Sequence, residues 1–182
     1  MARKKVKKTA SAKLVDDRIL VHDRNAISRL NEKRYGELHD NFLSLSLVEG
    51  LYLTYKEWIV VAKGNKREGY KTIDFEELFE IVNEISPKLC SKYLVYKDLR
   101  TRGYTVRTGL KYGSDFRLYE RNNIDEIHSK YLVKVFTEEM PCELSEMTGF
   151  VRVAHSVKKQ LIVAILDADG SVVYYNMGYL RL

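Results

Sequence analysis

The sequence predicts an α+β protein built in two parts. Three observations carry this. Residues 75–85 repeat apolar side chains at three- and four-residue spacings, and Pro87 follows as a break. Beyond Gly103, short strand-like runs are separated by turn residues. Two further helical patterns, within residues 88–103 and 141–154, bracket those runs. Helices set apart from a strand-rich block mark an α+β architecture. The expected order is a basic flexible tail over residues 1–13, a small N-terminal α/β domain over 14–86, and a C-terminal domain over 87–182. In the last, a mixed, largely antiparallel sheet is flanked by helices.

In chain order, "AKLVDDRILV" reads as a strand and turn with polar breaks. "DRNAISRLNEKRYG" reads as a helix capped by Asp23 and ended by Gly36. "NFLSLSLVEG" spaces Phe42, Leu43, Leu47 and Gly50 as a helix does, although its Leu/Ser alternation equally suits a strand. "LYLTYKEWIVVAKG" reads as short strands turning near Lys56–Glu57. "TIDFEELFEIVNEI" is a helix with Thr72 or Asp74 at its cap and a stripe of Phe75, Leu78, Phe79, Val82 and Ile85. After Pro87, "KLCSKYLVYKDLRTRG" is a helix stopped by Gly103. "YTVRTGL", "DFRLYE" and "YLVKVF" are strands. "PCELSEMTGFVRVA" is a helix on the spacing of Leu144, Met147, Val151 and Ala154. "VKKQLIVAIL" is a strand that turns at "DADG" into the last strand, "SVVYYNMGYL".

With 182 residues and 45% hydrophobic content, the chain can bury a core in one ordinary domain or two small ones. No run of 18 uncharged apolar residues occurs, and the basic N-terminus is not followed by the apolar stretch of a secretory signal. Cys90 and Cys142 are too few for a disulfide framework and lack metal-site spacing, so a reducing, cytoplasmic setting is expected. Net charge is +6, from 31 Lys and Arg against 25 Asp and Glu, and residues 1–13 hold six of those cations. The excess favours a polyanionic partner. Thirteen Tyr against six Phe suits either base stacking or a wet subunit interface.

Neither phosphate-binding glycine motif is present, and His22, His39, His128 and His155 show no zinc spacing with each other or with cysteine. Asp167 and Asp169 alternate as a magnesium pair can, without the longer calcium-loop pattern. What remains is metal-free acid–base chemistry on a phosphodiester: Lys and Arg to hold charge on phosphoryl oxygens, His to move a proton near neutral pH, Tyr to orient a hydroxyl. RNA supplies its own nucleophile, the 2′-OH. Tyr119 at a strand end and His128 after a polar break are each commonplace in structural roles. Strand parity puts Val157, Lys159 and Leu161 on one face, which favours Lys159 over Lys158 as a functional cation.

Three separated segments, "LRTRGYTVRTGLKYGSDFRLYE", "HSKYLVKV" and "GFVRVAHSVKKQLIVAILDADGSVVYYNM", closely resemble the catalytic domain of archaeal tRNA-splicing endonucleases, over roughly residues 89–182. The N-terminal half is compatible with that family's smaller α/β domain. The resemblance implies intron excision from precursor tRNA at bulge–helix–bulge junctions, without metal or cofactor, leaving 2′,3′-cyclic phosphate and 5′-hydroxyl ends. It places a catalytic tyrosine on Tyr119, toward the 2′-OH. It places a general acid on His128 and a transition-state cation on Lys159. It also implies base-sandwiching arginines at Arg152 and Arg181, and intersubunit salt bridges from Asp167 and Asp169. The family's short chains form tetramers, homomeric or with a paralogous subunit. His155, in the same string, is expected to close a helix. The rival readings are a non-catalytic subunit of such a complex and a basic RNA-binding module without chemistry. The first should lack one of Tyr119, His128 and Lys159, and all three are present.

Overall fold

The computed structural model describes residues 9–65, 67, 69–120 and 128–180. It divides into two compact units between Tyr93 and Leu94. The first opens with a hairpin of β1 (Ala10–Val15) and β2 (Arg18–Val21). Asp16 stands at φ 52, the left-handed conformation that two-residue hairpin loops demand and Asp tolerates. Helix α1 (Arg24–Glu32) starts at Asp23, whose Oδ1 accepts from the Ala26 N–H at 2.7 Å. It stops sooner than Gly36, because Arg34 already adopts φ 58. Gly36 serves a close approach instead: a Cβ there would sit 2.7 Å from the Ser44 carbonyl oxygen.

The next stretch departs from the sequence reading. After the short β3 (Glu37–Leu38), strand β4 (Leu43–Ser46) takes the Leu/Ser alternation, and helix α2 (Leu47–Tyr55) uses the helical spacing of Leu47 and Gly50 and runs on through Leu51–Tyr55, where short strands were expected. Ser46 and Glu49 make a reciprocal capping box: the Ser46 hydroxyl accepts from the Glu49 N–H, and the Glu49 carboxylate accepts from the Ser46 N–H at 3.0 Å. Most of α2 is buried, and Gly50 lets it lie against Ile19, whose Cδ1 is 2.1 Å from where a Cβ would be. The turn at Lys56–Glu57 falls where expected, with Glu57 at φ 56. It leads to β5 (Ile59–Asn65), then β6 (Gly69–Ile73), which the sequence reading missed. Asp74, not Thr72, caps α3 (Phe75–Ile85). The six strands lie in the order β3-β4-β2-β1-β5-β6, parallel only between β1 and β5.

Pro87 breaks the chain by beginning the next helix, α4 (Pro87–Thr101), where its missing N–H costs nothing. In the second unit Val95, Tyr96 and Leu99 of α4 are buried, with Tyr96 5.7 Å from the Phe116 ring. Strands β7 (Thr105–Thr108), β8 (Phe116–Tyr119) and β9 (Tyr131–Thr137) are successively antiparallel. A 3₁₀ turn, Leu110–Tyr112, ends β7 earlier than its apolar pattern suggests. Helix α5 (Leu144–Ser156) crosses over to β10 (Gln160–Leu166), parallel to β9, and β11 (Val172–Met177) returns antiparallel. The order is β11-β10-β9-β8-β7: a mixed, largely antiparallel sheet, as expected. Ala154 of α5 packs on Leu132, Phe136, Leu161 and Val163. The Tyr174 hydroxyl donates to Asp98 Oδ2 at 2.7 Å, and Arg102 Nε donates to the same oxygen at 2.6 Å. Burial and that acceptor raise the Tyr174 phenol well above the ordinary tyrosine value. Among the described residues no helix is long and apolar enough to cross a membrane.

Candidate active site

The sheet of the second unit brings three separated segments to one of its ends. Tyr119 is the last residue of β8. Because β9 runs antiparallel to β8, with Leu118 opposite Tyr131, the start of β9 lies beside the end of β8. The Lys130 N–H donates to the Leu118 carbonyl at 3.0 Å, and His128 stands just before it. Strand β10 runs parallel to β9, and the Gln160 N–H donates to the Lys130 carbonyl at 3.0 Å. Lys159, one residue earlier, therefore arrives at the same end. Topology thus gathers Tyr119, His128 and Lys159 at one edge of three adjacent strands.

Lys159 has a defined direction. Its ammonium donates to the Ser129 carbonyl at 2.5 Å and lies 5.7 Å from the centre of the Tyr112 ring. Lys158 is exposed and stands at φ 54, its N–H on the His155 carbonyl. The strand-parity argument for choosing between the two lysines does not describe this arrangement. Strand β10 begins only at Gln160; the left-handed turn at Lys158 is what separates the two lysines.

Tyr119 is buried, with the Arg117 guanidinium 6.0 Å from its ring centre. Arg117 faces Arg107 across the β7–β8 ladder, and its Nε is enclosed without an acceptor among the described residues. His128 is exposed, whereas the neighbouring Ser129 is buried. Lys130 pairs with Glu120 at 2.5 Å; that carboxylate holds the ammonium above the ordinary lysine value and ties the strand ends together.

The other candidates lie apart in sequence and role. Arg152 is exposed on α5, one turn before His155. His155 occupies the last turn, where an imidazole suits the helix dipole, and its ring lies 4.9 Å from that of Tyr179. Asp167 and Asp169 are on the exposed β10–β11 turn. There the Ser171 N–H donates to Asp169 Oδ1 at 2.8 Å and the Ser171 hydroxyl to Asp167 Oδ2 at 3.0 Å. The backbone donor of Ser171 holds the Asp169 carboxyl below the usual carboxylate value. Among the described residues no three His, Cys, Asp or Glu side chains cluster as metal ligands. Arg181, residues 1–8 of the basic tail and the polar break 121–127 lie outside the described residues.

Sequence reasoning passed over Ser129, Tyr112 and Arg117. Arg117 had a signal, since residues two apart on a strand share a face and so place it with Tyr119. Ser129 contributes a carbonyl, which no side-chain pattern can announce.

Residues 10–79 match the family model described as tRNA intron endonuclease, N-terminal domain, and residues 89–174 match tRNA intron endonuclease, catalytic C-terminal domain. The chain belongs to the tRNA intron endonuclease family. It is 72% identical over 178 residues, 98% of each chain, to the tRNA-splicing endonuclease of Methanococcus maripaludis. It is 70% identical to that of Methanococcus vannielii, with the same coverage of both chains. With the tRNA-splicing endonuclease of Thermococcus gammatolerans identity is 44%, over 92% of this chain and 96% of the relative.

Proposed function

We infer that this chain is an endonuclease that excises introns from precursor tRNA, cutting at bulge–helix–bulge junctions. The observation that carries the mechanism is the meeting of Tyr119, His128 and Lys159 at one sheet end, with Lys159 held on the residue next to His128. The 2′-oxygen attacks the adjacent phosphorus while the phosphorus–5′-oxygen bond breaks. Tyr119 acts as the general base for the 2′-OH, taking its proton in the phenolate form, or orients that hydroxyl for attack. His128, exposed toward substrate, protonates the departing 5′-oxygen. Lys159 faces the negative charge that gathers on the phosphoryl oxygens in the pentavalent transition state. The products are a 2′,3′-cyclic phosphate and a 5′-hydroxyl. No step calls for a metal ion.

Two cuts across one folded precursor need two sites at a set separation, so the working species is an assembly. We assign it as a homotetramer, or a heterotetramer with a paralogous subunit. Asp167 and Asp169 on their exposed turn supply intersubunit salt bridges. Arg152 stacks on a bulged base, with Arg181 as its partner. Two free cysteines and a polyanionic substrate suit the cytoplasm.

The test is single-turnover cleavage of an intron-containing precursor tRNA by the purified chain in chelator, with the product ends mapped and the mass of the active species determined. Cleavage with cyclic-phosphate ends is expected. His128→Ala should lose roughly 10²–10⁴-fold in rate while keeping precursor affinity. Cleavage by that variant at the unaltered rate would favour a non-catalytic RNA-binding module. Loss that magnesium alone restores, with the RNA still folded, would overturn the metal-free mechanism.

A further inference from the structure

The sheet of the first unit runs out into a two-stranded ribbon that none of these roles uses. Strands β5 and β6 pair from Val61–Ile73 to Asn65–Gly69, and β6 is an edge of the sheet. Strand β1 pairs with β5 only as far as Ala62, so the hairpin continues beyond it as two strands. Lys63, Gly64, Asn65, Arg67 and every residue from Gly69 to Thr72 are exposed. From Ile59 to Ile73 the sequence carries Lys63, Lys66, Arg67 and Lys71 against a single carboxylate, Glu68. Both faces of the ribbon hold cations. Lys63 and Lys71 are directly opposite each other on the face that continues from Val61 and Ile73. On the other face the Lys13 ammonium lies 4.3 Å from the centre of the exposed Tyr70 ring. It crosses β5 where Ala62 and Gly64 present little side chain.

The backbone beneath these groups has a set shape. Gly64 stands at φ 144, and a Cβ there would fall 2.1 Å from the Gly69 carbonyl oxygen, an approach that only glycine permits. Asn65 Oδ1 accepts from the Arg67 N–H at 2.9 Å and closes the turn. Stability does not call for this arrangement, because like charges directly opposite across a ladder weaken it. A lysine on β6 protects an open edge, but its counterpart on β5 has no such use. The Lys71 ammonium reaches Glu77 at 3.6 Å, an exposed pair that contributes little. Cations spread over a fixed, exposed ribbon complement a polyanion, and the charges of RNA lie along its backbone.

We propose that the β5–β6 hairpin, together with Lys13, is a second RNA-binding surface. Lys63, Arg67, Lys71 and Lys13 hold backbone phosphates of the precursor without reading its bases, and the Tyr70 ring keeps the Lys13 ammonium in place. The proposal rests on the endonuclease reading above. It adds an affinity element carried by the first unit, apart in sequence from Tyr119, His128 and Lys159.

Equilibrium binding by the full chain tests this, on a precursor tRNA with 2′-deoxynucleotides at both cleaved positions. That RNA lacks the attacking hydroxyls and stays whole. Lys63→Gln with Arg67→Gln should weaken binding roughly 10- to 30-fold at about 0.15 M salt, since each phosphate contact contributes a salt exponent of about 0.7–0.9. The slope of log affinity against log salt should shrink by about 1.5. The cleavage rate of ordinary precursor at saturating chain should stay unchanged. Lys13→Gln should add a further loss. Arg24→Gln with Lys88→Gln removes the same charge from two exposed sites of the same unit outside the hairpin, and should weaken binding less than about 3-fold. Equal losses in that control would overturn the surface, and so would unaltered affinity and slope in the hairpin variant. A lower solution mass of the hairpin variant by light scattering would make the ribbon a contact between subunits and overturn the RNA surface. Wild-type chain that binds precursor without cutting it would overturn the endonuclease reading alone. Wild-type chain that does not bind it would overturn both.

Discussion

The ammonium of Lys159 donates to the main-chain carbonyl of Ser129, thirty residues earlier in the chain. This bond joins the turn before β10 to the residue after His128. It makes the position of one proposed catalytic group depend on another. Lys159→Met should therefore do two things at once. Cleavage should fall roughly 10²–10³-fold as a transition-state cation is lost. Backbone amide shifts at Ser129 and Lys130 should also move, because an anchor is lost. A fall in rate with those amides unmoved would restrict Lys159 to charge stabilisation alone.

Lys158 should behave oppositely. It is exposed and pays for a left-handed backbone at φ 54. Glycine adopts that conformation without the penalty of about 1–2 kcal/mol that an L side chain meets. Lys158→Gly should raise the denaturation midpoint by up to about 1 kcal/mol in equivalent stability, with cleavage close to normal, as measured by urea titration and single-turnover assay.

The β10–β11 turn permits a test of assembly. Asp169 is exposed and Asp167 half-buried, and both accept hydrogen bonds from Ser171 within the same turn. Asp167→Lys with Asp169→Lys should lower the mass of the species in solution and reduce cleavage with it. Sedimentation or light scattering checks this. An unchanged mass would remove these acids from the interface. The Asp169 carboxyl sits below the ordinary value of 3.8, so its stabilising contribution is complete above that pH and is lost as pH falls through the lower folded value. A carboxyl-detected NMR titration should show Asp169 protonating at lower pH than a free Asp.

The Tyr174 phenol answers to the opposite pH limb. Burial first, then its hydrogen bond to Asp98, raises it above the ordinary value of 10.0. Its contribution is thus full below about pH 10 and is lost as pH rises toward the folded value. Tyr174→Phe should cost about 1–2 kcal/mol at neutral pH, and the gap from wild type should narrow in alkaline solution. A pH series of denaturant melts reads both effects.

Cysteine chemistry separates the two thiols. Burial pushes the Cys90 thiol up, with Glu80 adding to the shift, while Cys142 is partly exposed. A thiol reagent under native conditions should label Cys142 first and reach Cys90 only on denaturation. Peptide mapping after a short pulse decides it.

Where the signals were local, they were legible. Asp23 and Asp74 announce α1 and α3 through cap chemistry, and the α3 stripe has one apolar face against one polar face. The second helix was hidden because Leu47, Val48, Leu51, Tyr52 and Leu53 are all buried. A helix enclosed on most sides has no amphipathic period to read. Its local cues were the spacing of Leu47 and Gly50, which the Leu/Ser alternation made ambiguous, and that of Ser46 and Glu49, which the apolar run beyond them obscured. The third strand, of two residues, and the sixth, almost wholly exposed, carry too little pattern to stand out.

The sequence by itself determined the two-part α+β build, the family, and a short roster of residues able to perform acid–base chemistry. These depend on side-chain identity and order, which the chain carries in full. Only the tertiary structure decided how those residues meet. A parallel crossover through α5 sets the start of β10 beside the start of β9, so Lys159 reaches a carbonyl that no motif marks. The left-handed turn at Lys158, rather than strand alternation, separates the two lysines. The pairing of His155 with Tyr179 likewise arises where a helix end meets the segment after the last strand. Such contacts bridge long stretches of sequence, and no local periodicity encodes them.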